Sequence, residues 1–218
     1  NATVDNGRIV SADRIFTYFT DIDFKDFEEF YSYEHLSIGK FYMSSYGYLP
    51  KQIIECALKF YNDKTTLKGV TEKETEYLVG KGMLNSLFGM CVTNPVNDDI
   101  IFDGKEWNTE KKDIADALQE NYIKNKKQVL VYQWGVWITA WARHELFKGI
   151  LEINEDVIYC DTDSIKFLNY EKYENWINEY NKNCIDEINN ALKYYEIDLN
   201  LAKPKTIKGA EKPLGVWD

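Results

Sequence analysis

Soft metal ligands are scarce in this chain. The four cysteines, Cys56, Cys91, Cys160 and Cys184, are widely spaced with no CxxC pair, and the two histidines, His35 and His144, lie far apart. That scarcity argues against a zinc site and a disulfide framework, and for reduced, mostly buried thiols. It also disfavours a His-based metal or nucleophilic site. No apolar stretch is long enough to span a bilayer, and Asn1-Ala2-Thr3-Val4-Asp5 does not have the form of a secretion signal. Internal repeats and low-complexity tracts are missing too. So is a basic excess: the formal charge of −10 is opposite to the footprint of a nucleic-acid binder, and composition alone would reject DNA as a partner. Carboxylates are left to carry any chemistry.

What is present is a globular composition. With 44% hydrophobic and 15% aromatic residues over 218 positions, the chain can bury the core of one large domain or two small ones. Its most informative stretch is Val157-Ile158-Tyr159-Cys160-Asp161-Thr162-Asp163-Ser164-Ile165-Lys166-Phe167. Two carboxylates stand between a β-branched apolar run and a second, alternating run, which predicts a tight β-hairpin with a metal site at its tip. In an extended segment residues i and i+2 point the same way, so Asp161 and Asp163 can converge while Thr162 turns away. At about 4 Å and an effective dielectric of about 20 the two anions repel by about 4 kcal/mol, so both stay ionised only with a cation between or beside them. Oxygen-only ligation suits Mg²⁺ or Mn²⁺, and Mg²⁺ commonly takes one or two carboxylates plus substrate phosphates. The chemistry implied is phosphoryl transfer. In isolation, the same Asp-Thr-Asp reads more simply as an exposed turn.

Along the chain, Arg14 to Thr20 alternates and is rich in β-formers, predicting a strand. Asp23 then caps a short helix to about Tyr31, and Leu36 to Ser45 reads as another strand. Pro50 opens an amphipathic helix with Ile53, Ile54, Ala57, Leu58, Phe60 and Tyr61 at helical spacing. After a polar turn over 64–69, Thr71-Glu72-Lys73-Glu74 is a capping box for a helix that holds Lys81 and Asn85 and ends at Gly89. Thr93-Asn94-Pro95 breaks the chain, and 96–130 carries mixed charge, a helix from about Asn108 and no hairpin signal. A long helix from Gln133 to about Leu151 bears Trp134, Trp137, Ile138, Trp141, Leu146 and Phe147, a stripe that reads as core and not base stacking. Tyr170 to about Tyr195 predicts an amphipathic helix that covers the hairpin's sheet, and Lys203 to Lys212 a basic tail, by itself a solvated loop. The fold class is α+β.

The hairpin string resembles the YxDTDS motif of family B DNA polymerases, and two further stretches resemble that family in the same order. Lys81-Gly82-Met83-Leu84-Asn85-Ser86-Leu87-Phe88-Gly89 is similar to the fingers motif Kx3NSxYG, with Phe88 where Tyr is usual. Thr139-Ala140-Trp141-Ala142-Arg143 is similar to the primer-binding motif Tx2AR, and Gly135-Val136-Trp137-Ile138 resembles what precedes it in the protein-primed phage enzymes. Three motifs in order are far more specific than one. The resemblance runs from about Thr17 to the C-terminus. It implies a polymerase palm whose antiparallel sheet carries the DTD hairpin, plus an α-helical fingers hairpin. The division implied is a palm- or insertion-related N-terminal segment over 1–46, fingers over 47–91, an insertion over 92–130 and palm over 131–218. The insertion occupies the place of the second terminal-protein region, a label only position supports; a solvated acidic insertion serves as well.

The same resemblance implies site roles. Asp163 is the direct metal ligand and Asp161 its support, with two Mg²⁺ or Mn²⁺ ions stabilising the primer 3′-hydroxyl and the leaving pyrophosphate. Lys81, Asn85 and Phe88 are spaced i, i+4 and i+7, so they share a helical face that would line the incoming dNTP with Gly89. Lys81 offers a cation to the triphosphate, and Lys64, in a Lys-Thr-Thr that also resembles the family, offers a second. Lys64 reads equally well as a solvated surface residue. Phe88 keeps a ring to pack under base or sugar but lacks the hydroxyl. Tyr159, Thr162, Ser86, Thr139 and Arg143 fall to the primer-template DNA, Arg143 holding primer phosphate. By themselves, Tyr159 is as readily a packed strand aromatic, and Arg143 a snorkelling surface residue.

Part of the family's equipment does not occur in these 218 residues. There is no DxxSLYPS string to bring a further metal-binding Asp, for Asp21-Ile22-Asp23 lacks everything that follows it in that motif. The acidic motifs of a 3′–5′ exonuclease, the later palm motif and a thumb are missing as well. The expectation is a palm-and-fingers segment, inactive alone, that works with primer-template DNA, dNTP, terminal protein and, if split, the remaining polymerase segments as a separate chain. Its setting would be the cytoplasm of an infected host cell, away from membranes. The charge of −10 then requires much of the DNA-gripping surface to lie outside the segment. Two other readings stay open: a non-catalytic split or decayed module that binds DNA, a terminal protein or a partner chain, and a different metal-dependent nucleotidyltransferase with a palm-like sheet.

Overall fold

The computed structural model describes residues 2–5, 8–94, 96, 98–124 and 131–217, over which helices and short strands alternate as an α+β fold. The strands pair as β1 (Ala2–Asp5) with β2 (Arg8–Ala12), β3 (Asp99–Phe102) with β4 (Trp107–Glu110), and β5 (Val157–Asp161) with β6 (Ser164–Phe167). Each pair is antiparallel and remains a separate two-stranded sheet. The helices are α1 (Asp21–Phe30), α2 (Lys51–Leu67), α3 (Glu74–Gly89), α4 (Ile114–Lys124), α5 (Tyr132–Ile153) and α6 (Tyr170–Tyr194). Among the described residues no helix is long and apolar enough to cross a membrane.

Two apolar clusters hold α2, α5, α6 and the β5–β6 hairpin together, and α6 runs through both. At its N-terminal end Tyr173 and Ile177 bury against Ile153 at the end of α5, with Val157, Ile165 and Phe167 of the β5–β6 hairpin packed on them. Toward its C-terminal end Leu192 joins Leu58 of α2, Ile197 and Ala202. Residues after α6 fold back on it: Asn181 exchanges hydrogen bonds with the Trp217 backbone, at 2.8 and 2.9 Å. Gly149 of α5 sits under the hairpin, where an added Cβ would stand 2.6 Å from Ile165 Cδ1 and 3.5 Å from the Trp217 ring. α2 and α3 pack side by side, with Gly80 against Asp63 and the Lys64 backbone.

Several expectations need correction. Residues 14–20 and 36–45 form no strands. Their β-forming composition counts only when a neighbouring strand supplies ladder bonds, and none lies beside them among the described residues. Asp23 is not the cap of α1; Thr20 is, its hydroxyl accepting from the Asp23 amide at 3.0 Å while the Asp23 carboxylate reaches back to the Thr20 backbone. The box over 71–74 forms a 3-10 turn instead, and α3 starts at Glu74 with no side-chain cap. Asn108 begins no helix but lies in β4, and the segment expected to lack a hairpin contains one. Its connection is the four residues 103–106: Asp103 Oδ1 accepts from the Lys105 and Glu106 amides, and Gly104 takes φ +96°. α4 follows only after Asp113, whose carboxylate accepts from the Ala115 amide at 2.8 Å. The basic tail is tied down through Lys212 and Pro213 carbonyls that accept from the Tyr61 hydroxyl. Pro95, Asn97 and residues 125–130 of the expected insertion lie outside the described residues.

The packing at Gly149 makes a testable demand. Gly149→Ala should be close to neutral, since the gain of about 1 kcal/mol in helix propensity offsets a contact with the movable end of Ile165. Gly149→Val should cost about 1–3 kcal/mol by overpacking, read as a lower urea midpoint. An unchanged midpoint for the valine variant would contradict the packing.

Candidate functional site

β5 and β6 pair in the register Tyr159↔Lys166, Cys160↔Ile165 and Asp161↔Ser164, so the connection is the two residues Thr162 and Asp163. A two-residue turn requires positive φ, and Thr162 supplies it at 46°. For a β-branched side chain that is an uncommon, strained conformation. The Asp163 amide donates to the Asp161 carbonyl at 2.5 Å, the Thr162 hydroxyl to Asp161 Oδ1 at 2.9 Å, and the Ser164 hydroxyl to the Asp161 carbonyl at 3.1 Å. The tip therefore differs from the extended segment expected. Asp161 ends a strand and Asp163 belongs to the turn, so any convergence of the two carboxylates comes from the turn and not from the strand pleat. Both residues are exposed, and neither forms an ion pair among the described residues.

The root of this hairpin is polar as well as apolar. Asp156 accepts from Tyr173 Oη at 2.5 Å, Asn169 Nδ2 at 2.9 Å and Lys172 Nζ at 3.2 Å. These contacts, the Tyr173 hydroxyl foremost, hold its carboxyl below the ordinary value of 3.8. Tyr159 is exposed on β5 with Lys166 Nζ 5.6 Å over its ring.

On α3, Lys81, Asn85, Ser86 and Gly89 are exposed, and Gly89 is the last helical residue. Phe88, expected on the same face, is half-buried and lines an apolar cavity of ≈ 280 Å³ with Leu58, Leu87, Trp134, Ile138 and Leu192. Lys64 is half-buried on α2 beside Gly80, which directly precedes Lys81 in the chain. Neither lysine forms an ion pair among the described residues.

The two residues expected on primer phosphate are engaged elsewhere. Thr139 donates to the Gly135 and Val136 carbonyls of its own helix, at 3.1 and 2.8 Å. Arg143 donates through Nε and Nη2 to Asp23 Oδ1, at 2.9 and 2.6 Å. That contact belongs to a seam that the sequence reading missed. Asp21 accepts from Tyr46 and from Trp137 Nε1, and Asp26, 7% exposed, meets His144 Nδ1 at 2.6 Å. Helical spacing of the polar residues on α1 and α5 was visible, but their pairing spans 116 to 120 residues and no local pattern encodes it. Among the described residues no three His, Cys, Asp or Glu side chains gather where they could hold a metal.

Among the described residues, then, two exposed carboxylates without an ion pair stand on the hairpin, and two lysines without one stand on the α2–α3 pair. No family model and no solved structure matches the chain. Known proteins do. The DNA polymerase of Bacillus phage phi29 is 34% identical over 143 residues, which are 65% of this chain and 22% of the phage enzyme; that of Bacillus phage PZA gives the same figures. The DNA polymerase of Bacillus phage B103 is 28% identical over 154 residues, 71% of this chain and 24% of that protein. The chain is a relative of a segment of these phage DNA polymerases, and spans less than a quarter of their length.

The α1–α5 seam carries a pH dependence. The Asp21 carboxyl is held below 3.8, chiefly by the Tyr46 hydroxyl, with desolvation opposing and Trp137 adding to the lowering. A depressed carboxyl stabilises the fold above its unfolded value and loses that contribution as pH falls through the folded value. Asp21→Asn should therefore unfold at a lower urea concentration than wild type at neutral pH, and the two midpoints should converge on acidification below 3.8. A gap that persists into acid would contradict the assignment.

Proposed function

We propose that this chain is the part of a protein-primed phage DNA polymerase that carries the DTD hairpin and the nucleotide-facing fingers helix. The observation that carries the reading is the Asp161-Thr162-Asp163 tip: two exposed carboxylates on a strained two-residue turn, with no cation paired to either among the described residues. A non-glycine residue at positive φ marks a place where the surrounding structure holds an unfavourable conformation, which is common at functional sites. The donor set is all oxygen and suits Mg²⁺ or Mn²⁺, with Asp163 the direct ligand and Asp161 its support. Bound there, two such ions would neutralise charge on the attacking 3′-hydroxyl and the leaving pyrophosphate. Lys81 and Lys64 bind and orient the triphosphate of the incoming dNTP, and Asn85, Ser86 and Gly89 line its path. Phe88 acts from the cavity side, backing the nucleotide without a hydroxyl to donate.

In this reading 47–91 are fingers and 131–218 palm, and the tip works with a further carboxylate from the rest of a polymerase. Primer-template DNA, dNTP and a terminal protein are the partners, inside an infected cell. A second reading is favoured by Arg143 and Thr139, since both are engaged within the chain instead of open to a primer. It is a non-catalytic polymerase module that binds DNA or a partner chain.

Mutation of the tip separates the two. In a complete polymerase that contains this segment, Asp163→Ala should abolish primer extension while primer-template binding stays within a few-fold of wild type. Extension by the mutant within a few-fold of wild type would sink the catalytic assignment and leave the module.

A further inference from the structure

A two-stranded hairpin is marginal in water, so the aim of the β5–β6 tip depends on what grips its root. The ladder itself is weakened there, because the register shifts between Val157 and Tyr159. Over β5 the tip lies about 13 Å from the root, so a swing of about 5° displaces the carboxylates by about 1 Å. A working constellation tolerates only about 0.5 Å. Apolar contacts of Val157, Ile165 and Phe167 with Tyr173 and Ile177 supply burial, but such contacts are not directional.

The directional grip comes from one side chain. Asp156 immediately precedes β5, and its carboxylate accepts from Asn169, Lys172 and Tyr173, which surround the start of α6 just beyond β6. Its backbone carbonyl accepts from the Leu168 amide at 2.9 Å, the residue after β6. The Tyr173 hydroxyl also reaches the Ile153 carbonyl at the end of α5, at 3.0 Å. Asp156 thus ties the beginning of β5, the end of β6 and the start of α6, while the Tyr173 hydroxyl shares its one proton between Asp156 and the end of α5.

We propose that Asp156 is a positioning residue that sets the direction of the Asp161 and Asp163 carboxylates from the far end of the hairpin. The proposal rests on the metal-binding reading of the tip for its purpose, but its mechanical content stands apart from that reading. It can therefore be tested by two measurements on the 218-residue chain, carried out where circular dichroism shows each variant folded. The first is the ¹⁵N order parameter of the amides from Asp161 to Ser164, without metal. Asp156→Ala should lower these from about 0.85 toward 0.6 while the helices keep theirs. The second is Mn²⁺ affinity by the loss of free-ion paramagnetic signal, which should weaken about tenfold, the low end of what losing a supporting contact costs a metal site. Asp156→Asn, which keeps one acceptor oxygen where Tyr173 and Asn169 use two, should recover part of both. If Asp156→Ala does not fold, Tyr173→Phe carries the test, since it deletes a single hydroxyl and should move both readouts in the same direction. Unchanged tip order in a folded Asp156→Ala or Tyr173→Phe chain overturns the proposal. Asp163→Asn is the control for the underlying reading: Mn²⁺ binding that survives it places the ion elsewhere, and the order parameters still decide whether Asp156 positions the tip.

Discussion

Burial along one face of α6 is the constraint on which the rest of the structure depends. Tyr173 and Ile177 seat the β5–β6 hairpin against the end of α5, while Leu192, farther along the same helix, packs on Leu58 of α2. The apolar cavity that Phe88 lines is walled in part by Ile188 and Leu192 of α6, and α3, which bears Lys81, packs on α2. The acidic hairpin and the lysine-bearing helix pair are thereby referred to a single rigid rod of 25 residues. Each can be placed to within the packing tolerance of a core, which a loop could not offer.

Polar contacts then refine what burial leaves loose. The apolar cluster at the hairpin root is non-directional, and Asp156 adds three oriented hydrogen bonds to it. At the other end of the hairpin the tip is left bare, with its carboxylates exposed and Thr162 held at positive φ. The arrangement runs from an anchored carboxylate with three donors at the root to exposed ones at the tip that form no ion pair among the described residues, Asp161 accepting from the Thr162 hydroxyl. On α1 the acidic residues go the other way. Asp21 accepts from Tyr46 and Trp137, Asp23 pairs with Arg143 and Asp26 meets His144, although Asp26 Oδ2 is buried without a hydrogen-bond partner among the described residues.

How much of this was legible in the sequence depends on how local its cause is. The helix after Pro50, the tryptophan-striped α5, amphipathic α6 and the hairpin around Asp161 all follow from periodicity over short windows, and all formed within a few residues of expectation. The strands expected at 14–20 and 36–45 did not, because β-structure needs a partner that no local pattern can promise. The β3–β4 hairpin was readable in Asp103-Gly104, a signal overlooked in a segment dominated by charge. The α1–α5 seam and the Asp156 clamp join residues distant in sequence, and only the folded chain brings them together. At the candidate site, spacing located the tip but not its turn conformation, and it put Phe88 on the face of Lys81 where packing draws it toward the core.

The claim that matters most is that the hairpin tip is the chain's divalent-metal site. Crystals of the 218-residue protein soaked in Mn²⁺ would test it directly through anomalous difference density. The account predicts a peak at about 2.1 Å from a carboxylate oxygen of Asp163, with Asp161 beside it. A peak in the α1–α5 seam at Asp21, Asp23 or Asp26, with none at the tip, would contradict it.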